Sequence, residues 1–129
     1  VSNFEVANIL NRVRQPFNVN SLALAAATAA LSDQEYLARS REMNLQGRAL
    51  LERGLEQMGL EFIPSAGNFV TAHFDGGAGK SASVIYEALL RQGVIVRPVA
   101  NYDMPNSLRI SVGTELENNR FLEALDGVL

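Results

Sequence analysis

The hydrophobic period of this chain changes at Gly59, and that change restricts the possible folds more than any other feature. Before it, apolar residues recur at three- and four-residue steps, the signature of helix faces; after it, most runs alternate in twos, as half-buried strands do. Phe4, Ala7, Leu10 and Val13 have the spacing of a short helix, which Gln15-Pro16 interrupts. The alanine-rich run from Ser21 to Leu31 has high helix propensity and lets neighbouring backbones approach closely, so a buried helix is expected. Ser32 followed by Glu35 reads as a capping box that opens a long helix to about Met58. Its stripe is Tyr36, Met43, Gly47, Leu50, Leu51, Leu55 and Met58, and Gly59 suits the stop. A helix this long in so small a chain is suited to serve as a strut to another domain.

Beyond Gly59, residues 60–64 and 68–74 read as strands, the second with Val70, Ala72 and Phe74 on one face and Phe69, Thr71 and His73 on the other. Ser81 or Ser83 caps a helix to about Gln92, with Gly93 as its stop. Residues 94–97 and 107–112 are two more strands, and Thr114 with Glu117 is a second capping box before a last helix carrying Phe121, Leu122, Leu125 and Val128. The expectation is one α/β domain over 1–129, helical over 1–59 and sheet-and-helix over 60–129. Its sheet is small and mostly antiparallel, with helices packed on one face. On the last strand Leu108, Ile110 and Val112 must face those helices, which turns Arg109 and Ser111 to the opposite side. Arg97 ends its own strand beside Pro98, on the side shared with Ile95.

Composition narrows the chemistry. A net charge of −3 gives no basic face for tracking nucleic acid, and zero cysteines exclude disulfides, thiolate metal sites and a cysteine nucleophile. With 47% hydrophobic residues in 129, a packed core is within reach. No apolar run approaches the ~20 residues that span a bilayer and no signal pattern opens the chain, so the reading is cytoplasmic, without a membrane partner. Basic residues are almost all arginine, Lys80 being the sole lysine, and the opening at Val1 reads as the continuation of an earlier segment.

The strongest constellation is Arg97 with Arg109, at or near the ends of two strands that flank a loop holding two prolines and Asp103. A guanidinium matches carboxylate or phosphate bidentately, and a fork fixed on a strand is well oriented. The competing reading is two ordinary surface or ion-pair arginines. Gly76 to Ser81 invites a phosphate-loop reading, but the glycine needed five positions before Gly79 is Phe74, so the motif fails. His73, the single histidine, has no companion for a metal site and reads as structural; no metal is expected. Asn68 reads as a turn or cap, and Tyr102, in the loop between the arginines, as a lid or packing residue. No nucleophile is paired with a base.

Three stretches, Gly93-Val-Ile-Val-Arg97-Pro98, Asn101-Tyr102-Asp-Met-Pro105-Asn106 and Leu108-Arg109-Ile-Ser-Val-Gly113-Thr114, resemble the C-terminal part of the histidinol-phosphate aminotransferases, fold type I pyridoxal-phosphate enzymes of histidine biosynthesis. Arg14-Gln-Pro-Phe17-Asn18-Val-Asn20 and Ser65-Ala-Gly-Asn68-Phe69-Val70 are similar to that family too, so the likeness spans essentially the whole chain. The resemblance implies the small C-terminal domain of such an enzyme. Arg109 would bind the carboxylate of glutamate or 2-oxoglutarate and Arg97 the phosphate-bearing substrate, histidinol phosphate, with Tyr102 a possible loop contact. It further implies a homodimer, and a cofactor held by a Schiff-base lysine in a preceding large domain. Lys80, in the glycine-rich loop, does not match that lysine's motif, so the chain alone is expected to bind no pyridoxal phosphate, to contain no catalytic residue and to be inactive. The apolar surface that the large domain would cover is expected mainly along the N-terminal helices. Position 103, glycine in many relatives, is Asp103 here, which leaves open another fold type I activity, on aromatic amino acids or like a threonine-phosphate decarboxylase. A third reading takes residues 60–128 as a free-standing anion-binding regulatory module.

Overall fold

A computed structural model describes residues 3–74, 76 and 81–129, and within it the chain divides into two compact units, Val1–Leu37 and Ala38–Leu129. In the first unit, helix α1 (Phe4–Val13) and helix α2 (Ser21–Ser32) each start on an asparagine. The side chains of Asn3 and Asn20 accept the N–H groups of Val6 and Ala23, both at 2.9 Å, satisfying donors that a helix start leaves free. Neither helix contains a buried residue. The expectation of a buried alanine-rich helix is therefore corrected: none of the described residues closes over α2, and its uniform apolarity is displayed instead. Phe4, Val13, Phe17, Leu22 and Leu31 are all exposed, as the N-terminal location of uncovered apolar surface anticipates.

Helix α3 (Gln34–Gln57) crosses from one unit to the next. Its cap is Asp33, whose carboxylate accepts the Tyr36 N–H at 2.9 Å. Ser32, the residue expected there, remains in α2 and donates its hydroxyl back to the Thr28 carbonyl at 3.3 Å. A carboxylate one residue later competes better for the free N–H groups than a hydroxyl that can satisfy itself on the preceding turn. The apolar stripe also divides: Gly47, Leu51, Gly54 and Leu55 are buried, whereas Tyr36 and Met43 face out.

The second unit is built on a sheet of four antiparallel strands in the order β1-β2-β4-β3: β1 (Phe62–Ile63), β2 (Phe69–His73), β3 (Arg97–Pro98) and β4 (Ser107–Ser111). Helices α3, α4 (Ala82–Arg91) and α5 (Glu115–Asp126) cover one face, giving the expected α/β sandwich. Leu51 and Leu55 of α3, Ile85 and Leu89 of α4, and Phe121 and Leu125 of α5 meet Val70, Ala72, Leu108 and Ile110 from the sheet in one cluster. Each such side chain stabilises the fold by about 1.5–3 kcal/mol when fully buried. Gly59 and Gly93 end α3 and α4 with φ of +71° and +76°, backbone that a side chain would strain. The capping box of α5 forms as read, Thr114 and Glu117 each bonding the other's backbone.

Two strands are shorter than the alternation suggests. Of 60–64 only Phe62–Ile63 are strand partners of β2, with the Glu61 carbonyl accepting the His73 N–H at 2.8 Å beside them, and of 94–97 only Arg97, followed by Pro98, pairs with β4. Residues 94–96 diverge from 110–112, leaving a cleft of about 530 Å³ lined by both segments and by α5. Pro98, which has no N–H to donate, is tolerated because β3 is the edge strand.

Candidate functional site

The sheet register decides which side chains meet. Arg97 of β3 is the direct cross-strand partner of Arg109 of β4, and Arg109 in turn is the partner of Thr71 of β2. Directly opposed residues project from the same face, so Thr71, Arg109 and Arg97 form a row across the sheet. That face is the one turned away from the helices, because Leu108 and Ile110 on either side of Arg109 are in the core. Ile95, exposed on the side of Arg97, continues the same alternation.

Two like charges placed directly opposite each other destabilise a sheet by a few tenths to about 1 kcal/mol. Among the described residues no carboxylate offsets them: the salt bridge seen in this unit joins Arg48 to Glu52 at 3.7 Å on α3. Arg109 is half-buried, with its guanidinium carbon 5.0 Å from the centre of the Phe69 ring. Its Nε is sealed from solvent and has no hydrogen-bond partner. A sealed Nε leaves the two Nη groups as the donors a ligand can reach. Guanidinium forks in general match the oxygens of carboxylates and phosphates.

Around the row, His73 and Ser107 are cross-strand partners, with Nδ1 and Oγ 3.2 Å apart, so the histidine is engaged with a buried serine. Tyr102 closes a single 3-10 turn (Ala100–Tyr102) in the loop between β3 and β4 and is exposed; the structure does not bring it into the arginine row. Asp103 follows in left-handed backbone, φ +60° and ψ +26°, a conformation in which glycine is unstrained and aspartate is tolerated better than most residues. This is the position where the resemblance leads one to expect glycine. Asn68 accepts the Val112 N–H on its carbonyl at 2.8 Å and so extends the β2–β4 ladder. Lys80 and most of the glycine-rich loop lie outside the described residues. No group of acidic, histidine or cysteine residues suited to a metal is present among the described residues.

Phe69 and Thr71 were not singled out as site residues from sequence. Their alternation placed them on the same side as Arg109 would need, but only the register shows which side chain on β2 lies beside which on β4.

A family model described as aminotransferase class I and II matches residues 1–125. The chain belongs to that family. The chain spans about a third of the length of the curated aminotransferases it matches. Histidinol-phosphate aminotransferase 2 of Pseudomonas fluorescens (strain Pf0-1) is 60% identical over 124 residues, covering 96% of this chain and 32% of that protein. Among solved structures, histidinol-phosphate aminotransferase from Sinorhizobium meliloti, in complex with pyridoxal-5'-phosphate, is 31% identical and superposes with a TM-score of 0.72 over 96% of this chain and 34% of that one. The enzyme of the same name from Clostridium acetobutylicum is 26% identical with a TM-score of 0.76, over 98% and 38%. No helix among the described residues of this aminotransferase chain is long and apolar enough to cross a membrane.

Proposed function

We propose that this aminotransferase chain is the substrate-side, C-terminal domain of a histidinol-phosphate aminotransferase, moving an amino group between histidinol phosphate and 2-oxoglutarate in histidine biosynthesis. The observation that carries the reading is the cross-strand pair Arg97–Arg109, two guanidinium groups on one face with no salt bridge to a carboxylate among the described residues. The relatives that bear the same printed name, at 60% and 58% identity, agree with it. In this role Arg109 takes the amino-acid carboxylate and Arg97 the phosphate of the second substrate.

Pyridoxal phosphate, when bound, supplies the electron sink that transamination needs. The described residues suit the substrate and do not suit that cofactor's anchor: they offer guanidinium forks, and none of them carries the primary amine that would hold it. Lys80 does not match the motif of the family's Schiff-base lysine. By the resemblance to the family, the anchoring lysine and the phosphate cradle belong to a large domain elsewhere in the enzyme, which acts as a dimer, and this domain by itself turns nothing over.

The test uses the full-length enzyme, with both half-reactions followed separately. A charge-assisted bidentate contact is worth about 1.5–3 kcal/mol, so Arg97→Ala should lower efficiency toward histidinol phosphate by roughly 10- to 100-fold and change glutamate much less. Arg109→Ala should weaken both. Equal losses for the two substrates in Arg97→Ala would refute the division of labour.

A further inference from the structure

Among the described residues no hydrogen bond holds the Arg109 side chain, and its guanidinium lies over the Phe69 ring. We propose that Phe69 is the positioning residue for the substrate carboxylate: its ring is the platform that holds the Arg109 guanidinium in its binding orientation. The inference rests on Arg109 being the carboxylate fork proposed above.

The geometry begins on α3. Asn44 donates its amide to the Gly67 carbonyl at 3.1 Å, and Arg48 adds a longer contact to the same oxygen at 3.4 Å, so the loop before β2 is tied to the helix. Gly67 lies against the Phe69 ring: a Cβ there would stand 3.3 Å from Cε1 and 3.6 Å from Cδ1. The ring is thus backed by a tethered loop. Phe69 begins β2 two residues before Thr71, the partner of Arg109, which makes it the diagonal neighbour of Arg109. Aromatic and long side chains reach each other across such diagonals. The guanidinium carbon stands 5.0 Å from the ring centre, within the range of a cation–π contact.

What this contact does follows from what Arg109 lacks. An arginine is ordinarily oriented by the groups its nitrogens bond, yet here Nε is buried with no partner. The ring face is the interaction left to orient the group before a ligand arrives. A fork held in advance spends less conformational entropy when an anion binds. The platform therefore acts on affinity for the carboxylate, and through it on the pose of the amino acid, without touching the reacting atoms.

The experiment compares Phe69→Leu and Phe69→Tyr in the full-length holoenzyme, alone and combined with Arg109→Gln. Loss of a partly desolvated cation–π platform should raise KM for glutamate by about 3- to 30-fold while kcat changes less. Phe69→Tyr, which keeps the ring, should return KM to within about threefold of the parent. In the Arg109→Gln background, which has no cation to place over the ring, the further effect of Phe69→Leu should largely vanish, because the two act as one unit. Should Phe69→Leu not fold, Phe69→Met removes the ring while keeping most of the volume. A KM unchanged by loss of the ring, a failure of tyrosine to rescue it, or an equal effect in both backgrounds would overturn the proposal while leaving the role of Arg109 standing. If Arg109→Gln itself leaves KM for glutamate unchanged, the underlying reading of the fork fails, and the platform with it.

Discussion

Replacing Gly47 with alanine should destabilise the second unit even though alanine is the better helix former. In the interior of α3 the exchange by itself favours the folded state by about 0.5–1 kcal/mol. Against this, a Cβ at position 47 would stand 2.6 Å from Val112 Cγ1 and 2.8 Å from Asn118 Nδ2, where carbon atoms rest at about 3.5–4.0 Å. Overpacking of this kind costs about 1–3 kcal/mol. Asn118 cannot move aside freely, because it is 2% exposed and its amide both accepts the Gly113 N–H at 2.9 Å and donates to the Gly113 carbonyl at 3.1 Å. Each buried group left unpaired by its displacement adds about 1–3 kcal/mol. The net expectation is a loss of about 1–4 kcal/mol, felt first where β4 hands over to α5. Native-state hydrogen exchange on the full-length enzyme reads it locally: protection of the α5 amides should fall by roughly 5- to 700-fold, at 1.4 kcal/mol per decade. In a Val112→Ala background, where the closest contact has been trimmed, the penalty should shrink. Protection that rises in Gly47→Ala, as propensity alone requires, would refute the packing argument.

Two further outcomes follow from local geometry. Hydrogen bonds from the backbone and side chain of Thr114 lower the pKa of Glu117 from its ordinary value, so its contribution to stability is complete above the ordinary carboxylate range and is lost as pH falls through the lowered value. Urea denaturation of parent and Glu117→Gln between about pH 5 and pH 3 should show the parent losing its advantage as the pH drops, and parallel curves would show that the box does not titrate in this way. At Asp103, the left-handed backbone makes Asp103→Gly close to neutral, relief of strain offsetting the added freedom of the unfolded chain, whereas Asp103→Val should cost about 1–3 kcal/mol. Thermal melts of the two variants decide it, and equal stabilities would show that the backbone at 103 relaxes.

Much of the architecture was legible in one dimension because its signals are local. The alternation in 107–112 placed Leu108 and Ile110 in the core and Arg109 outside it, the Thr114 and Glu117 pair marked the start of α5, and Gly59 and Gly93 marked two helix ends; each depends on residues within a turn or a strand of one another. The start of α3 was misplaced by one residue, since Asp33 and Ser32 both qualify as caps and the winner depends on where the Ser32 hydroxyl finds an acceptor. The fate of the alanine-rich helix was misjudged for a different reason. Uniform apolarity says that a surface wants covering, and only a three-dimensional arrangement says whether this chain supplies the cover.

The two arginines themselves stand out in sequence, on strands and away from the core. That Arg97 lies directly across from Arg109, that residues 94–96 part from β4 beyond the two pairs Arg97–Arg109 and Pro98–Leu108, and that Phe69 sits under the guanidinium were settled by strand register, which no local pattern encodes. Register depends on how the whole inner face of the sheet packs on α3, α4 and α5, because shifting a strand by one residue would exchange Leu108 and Ile110 for Arg109 in the core. The sequence by itself therefore determined which guanidinium groups lie on strands and away from the core, and the packing of that core against three helices decided which of them stand side by side.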